Sequence, residues 1–87
     1  MAIEYTETDA NLTRVAVWSA TSALLRGDRD GAMFLADGTG DPVTTLVAAD
    51  ALAHVLRLYS CSGVGPRAAQ KIVTDELERL AVGTIPA

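Results

Sequence analysis

The residues best suited to chemistry lie in one stretch, Leu58-Tyr-Ser-Cys-Ser-Gly-Val-Gly-Pro-Arg-Ala-Ala-Gln-Lys-Ile-Val73. Gly63 and Gly65 flank a single apolar residue in a tight connection, and Pro66 is expected to open a helix directly behind them. Glycines there permit positive φ and close approach of foreign backbone, while Val64 is expected to plug the turn into the core. The unsatisfied N–H groups of Gly63, Gly65 and the first helical turn would then point outward at the positive end of a helix dipole, which makes an anion site. Arg67 and Lys71, one turn apart on the new helix, can add charged donors to the same phosphate or its neighbour. Two plainer uses compete with this one. The glycines suit a turn that merely joins two core helices, and Lys71 has Asp75 four residues on as an ordinary surface ion-pair partner.

These residues resemble the helix-hairpin-helix DNA-binding motif. That family's pattern sets apolar residues five and two before the first glycine, then Gly-apolar-Gly, an Ala four after the second glycine and an Ile or similar residue three further on. Leu58, Cys61, Gly63-Val64-Gly65, Ala69 and Ile72 stand at those spacings. The resemblance implies contact between consecutive phosphates and the backbone amides of Gly63, Gly65 and Ala68, assisted by Arg67 and Lys71, with Arg57 as a third nearby cation. It implies also that a monovalent cation could be held by the carbonyls of Tyr59, Cys61 and Val64. Such contacts position a protein on DNA without reading bases. A second likeness spans more of the chain: an apolar helix, Gly-Val-Gly, then an Arg- and Ala-bearing helix is similar to the small actinobacterial integration host factors. The chain departs from them in lacking a basic N-terminal arm.

No other constellation points to catalysis. Cys61 has no matching base and reads as a small buried hydrophobe. His54 alone makes neither a metal site nor a triad, and reads as a helix-surface or core-edge residue. Asp28, Asp30, Asp37 and Asp41 surround helix ends, where capping accounts for them, and they lack the spacing of a calcium loop. The expectation is a non-enzymatic protein with no cofactor and no metal.

Four helices must position the hairpin. Residues 1–8 lack periodicity and read as an arm preceding a single domain over 9–87. Asp9 or Asn11 can cap a first helix over about 9–26, with Leu12, Val15, Trp18, Ser22 and Leu25 on its inner stripe and Gly27 after it. Asp28 or Asp30 starts a second over 30–36, in which Met33 and Phe34 are expected in the core. Asp41-Pro42 opens a third over 42–59 with Val43, Leu46, Val47, Leu52, Val55, Leu56 and Tyr59 facing inward. A fourth over 66–82 carries Ala69, Ile72, Val73, Leu77 and Leu80, closed by Gly83 and Pro86. No segment alternates as a strand does, so the fold class is all-α, a small four-helix domain whose last two helices form the helix-hairpin-helix module at 55–82.

The whole chain has 87 residues, 49% of them apolar, and a formal charge of −4. That suits one globular domain and argues against wholesale wrapping of a polyanion. The acidity is uneven: residues 1–54 hold eight acids against three bases, and residues 55–87 hold four bases against three acids. A single Cys and the absence of an apolar membrane run suggest a cytoplasmic chain, nucleoid-associated if it binds DNA. Two or three phosphate contacts would bind weakly, with a log–log salt slope of about −2 to −3, so useful affinity would need a homodimer, a partner protein or tandem sites. The competing reading is a protein-interaction module in which the hairpin is structural and the acidic N-terminal half docks a basic partner.

Overall fold

The fold is all-α, with four helices and no strand among the described residues. The computed structural model describes residues 7–65 and 67–84, with side chains over 10–65 and 67–82. Helix α1 spans Glu7–Leu25, α2 Arg29–Asp37, α3 Pro42–Tyr59 and α4 Arg67–Thr84, and a π-type turn over Ser60–Val64 joins the last two. The expected arm at residues 1–6 and the helix start at Pro66 lie outside the described residues.

Helix ends obey short-range chemistry. Asp28 accepts from the Gly31 amide at 2.9 Å and so caps α2. Asp41 accepts from Thr44 N–H at 3.1 Å and caps α3, with Pro42 in the first turn, where its missing N–H costs nothing. The Thr44 bond also holds the Asp41 carboxyl below its ordinary value. The outer bounds differ from expectation. Helix α1 begins at Glu7, ahead of the expected caps, and α4 passes through Gly83 to Thr84.

Helix α1 is the hub against which the other three pack, and its two sides meet two different cores. On one side Ala20 and Ala23 meet Ala32 of α2 and Ala49 of α3, with Leu24 and Leu46 closing over them. On the other, Trp18 and Leu25 pack on Leu56 of α3 and on Ala69, Val73 and Leu77 of α4. Where alanine faces alanine, helix axes approach to the short end of the usual ~8–10 Å range, and backbone atoms supply much of the contact. Thr21, fully buried between α1 and α3, donates its hydroxyl to Val17 O at 2.7 Å and satisfies itself within its own helix.

This packing corrects the expected orientation of α3. Its buried residues are Thr45, Ala49, Ala53 and Leu56, not the valines. Val43, Val47 and Val55 stand 72%, 64% and 59% exposed, and Tyr59 is exposed too, while Leu46 and Leu52 are half-buried. The helix carries apolar residues on both faces, and the close approach to α1 selects the side with small ones. Leu12, Met33 and Phe34, expected inside, are also exposed. In α4 the expected stripe holds at Ala69, Val73 and Leu80, with Leu77 half-buried and Ile72 at the rim.

Candidate functional site

The connection between α3 and α4 is built by glycine. Gly63 has φ +103° and ψ −2°, and Gly65 has φ +93° and ψ 157°, a region open essentially to glycine alone. The positive φ expected at both positions is present. A Cβ added at either glycine would meet nothing within 4 Å, so the need is conformational and the surrounding space is open. Ser62 steadies the turn by donating its hydroxyl to Tyr59 O at 2.6 Å.

The surface around this turn is not the one that spacing implied. Val64 does not plug the core but stands 49% exposed, and Cys61, expected to be a small buried hydrophobe, is exposed as well. Leu58, at the motif's first apolar position, is 60% exposed. The chain kinks at Gly63, where φ is +103°, and Cys61 and Val64 flank that kink in solvent, while Leu58 lies on the outward side of α3 itself.

Three of the donors assigned to phosphate, Ala68 N–H, Lys71 and Arg57, have partners within the protein. The Ala68 amide donates to Gly65 O at 3.2 Å, closing the first turn of α4. Lys71 Nζ lies 2.7 Å from Asp75 Oδ2, and that hydrogen bond raises the ammonium above its usual value. Arg57 reaches back across the fold and donates from Nη2 to Leu24 O at 2.6 Å, where a cation meets the negative end of the α1 dipole. Arg67 is exposed at the start of α4. Thus Arg57 serves the end of α1 and Lys71 is paired on α4, while Arg67 stands exposed two residues after Gly65.

Periodicity did not single out the network that holds the base of the hairpin. Gln70 donates from Nε2 to Ser22 O at 3.4 Å, Ser22 Oγ donates to Gln70 Oε1 at 3.3 Å, and Arg26 Nη1 donates to Ser22 Oγ at 2.9 Å. With Arg57 this staples the C-terminal turn of α1 to both helices of the hairpin. A groove of about 300 Å³ beside it is lined by Leu25, Arg57, Ser60, Cys61, Ala69 and Gln70. No group of three His, Cys, Asp or Glu among the described residues is placed to hold a metal ion. No helix among them is long and apolar enough to cross a membrane.

An exposed apolar surface lies on the far side of α3. Val43, Val47, Ala51, Val55 and Tyr59 follow one another at intervals of four and all face solvent, with Leu58 beside them. Met33 of α2 stands next to this row and, with Leu24, Leu46, Val47, Arg29 and Asp50, lines a groove of about 340 Å³. Apolar residues scattered singly need no explanation, whereas a continuous row on one helix marks a contact surface. Compared with known proteins, the chain matches no family model, no curated protein and no solved structure.

Proposed function

We propose that the protein is a helical protein-association module whose working surface is the outward face of α3. The observation that carries this reading is that α3 is apolar on both sides: it buries Thr45, Ala49, Ala53 and Leu56 within the domain and leaves Val43, Val47 and Val55 in water. A helix apolar on two opposite sides, with Asp50, His54 and Arg57 between them, offers a second side that an assembly would cover. Of the acids in the N-terminal half, Asp28 and Asp41 are engaged in capping, so the apolar row carries the reading better than a docking site for a basic partner does.

A photo-crosslinking residue at Val47 or Val55, in cells expressing the full chain, should give protein adducts. The same residue at Thr74, exposed on α4, should give none. Absence of adducts at both α3 positions would sink the reading.

Weak, sequence-independent DNA contact through the hairpin is a second reading, favoured by the open backbone at Gly63 and Gly65 and by exposed Arg67. On that reading, Arg67→Glu with Lys71→Glu abolishes a salt-sensitive shift of duplex DNA. No shift by the unaltered chain at low salt removes it.

A further inference from the structure

The association reading leaves the occupant of the α3 face unnamed; on the strength of that reading, the geometry points to a second copy of this chain, packed antiparallel about Ala51. The row is symmetric about that residue: Val47 and Val55 stand four residues to either side, Val43 and Tyr59 eight. A two-fold axis through Ala51 therefore sets Val47 against Val55 of the second copy, apolar on apolar, with Val43 and Tyr59, turned about 80° around the helix from Ala51, at the edges of the contact. An isologous interface demands this property, because each residue's partner must be its mirror in the sequence pattern. Rows at intervals of four are also the ridges that helices most often interdigitate, and alanine at the crossing point lets the axes come close.

Asp50 and His54 lie on one flank of the row, and in this pairing Asp50 falls within about 3 Å, measured along the helix axis, of both Asp50 and His54 of the second copy, so charge does not select the register. A lipid surface would call for Lys and Arg along the flanks. The one cation on α3, Arg57, is committed to Leu24 O. The exposures of Val43, Val47, Val55, Leu58, Tyr59 and neighbouring Met33 amount to roughly 600 Å² on one copy, so pairing would bury about 1,000–1,200 Å² in total, the lower edge of a specific interface. The dimer should be reversible, forming in the micromolar range.

Sedimentation equilibrium of the full chain, from about 1 μM to 1 mM, should show the mass rising towards twice the 9.1 kDa chain. Val47→Asp and Val55→Asp should each hold it at the single-chain mass with unchanged helicity. In a Cys61→Ser background, Ala51→Cys should oxidise to a covalent dimer, while Val43→Cys, whose copies lie about 24 Å apart along the axis in this register, should not. That pair of variants tests the geometry even where an aspartate disturbs folding. A chain that stays monomeric to 1 mM, or a dimer indifferent to both aspartates, overturns the proposal. A monomer whose Val47 adducts are all to other proteins overturns self-pairing alone. A monomer with no adducts overturns the association reading as well.

Discussion

The orientation of α3 decides what surface this protein offers, and a pair of substitutions two residues apart tests it. Val47 is 64% exposed, so Val47→Asp forfeits only about a third of the ~1.5–3 kcal/mol that full burial of a valine contributes, with little change in helix propensity. Asp50, one turn on, adds some repulsion and Arg29, on the same groove, offsets it, leaving an expected loss of about 1 kcal/mol or less. Ala49 is fully buried against Ala20, Ala23 and Ala32, where Ala49→Leu must force three further carbons between helices that touch through their backbones. Overpacking of this kind costs ~1–3 kcal/mol, and the close approach of α1 places it near the upper value. At ~4–8 °C per kcal/mol for a domain of this size, Val47→Asp should lower Tm by at most about 8 °C and Ala49→Leu by roughly 12–24 °C. Far-UV circular dichroism and Trp18 fluorescence in a urea series would measure both, repeated at several protein concentrations so that the contribution of self-association is separated. The m-value should stay constant across the set. If Val47→Asp proves the more damaging of the two, α3 faces the other way, and the surface assigned to it does not exist.

Three further outcomes follow from local geometry. Gly65→Ala should cost ~1–3 kcal/mol despite the open space around it, because φ +93° with ψ 157° is closed to alanine; equal urea midpoints for the two proteins would refute this. Arg57→Ala should lower stability by about 0.5–1 kcal/mol by freeing the end of α1, with Arg57→Lys restoring part; an Arg57→Ala chain of unchanged stability would show that its bond to Leu24 O contributes nothing. Acid should destabilise the fold through Asp41 and Glu76, whose carboxyls are held below their ordinary values of 3.8 and 4.5, first by bonds to Thr44 and Arg79 respectively. Groups with lowered folded values contribute fully above those ordinary values and lose the contribution as pH falls through the folded ones. Thermal scans from pH 6 to pH 2.5 should therefore show Tm falling below about pH 4.5, with the fall shallower in Asp41→Asn; a slope unchanged by that substitution would exclude Asp41 as a source.

What could be read from the chain alone divides by the range of the interaction. Asp28, Asp41 with Pro42, and the glycines of the hairpin act within three or four residues, so their types and spacing were sufficient to place the starts of α2 and α3 and the two positive-φ positions of the hairpin. The bond that Arg57 makes escaped notice because its acceptor, Leu24 O, is 33 residues away and lies at the end of another helix. The outward turn of Cys61 and Val64 escaped because spacing rules do not fix how a kink at Gly63, with φ +103°, orients the side chains beside it.

The rotation of α3 is the most consequential miss, and its cause is physical. Periodicity weighs large apolar residues, but the side that packs against α1 is chosen by how closely two backbones can approach, and that favours Ala49 and Ala53 over Val43, Val47 and Val55. A helix whose larger apolar residues sit on the side the domain does not use has not satisfied its hydrophobic demand by folding. Leaving that row in water forgoes burial of roughly 25 cal/mol per Å², a driving force for association that grows with whatever area a partner covers. The discrepancy between the face periodicity selects and the face the fold buries is therefore the observation on which the association proposal rests, since α1, α2 and α4 between them leave that face of α3 uncovered.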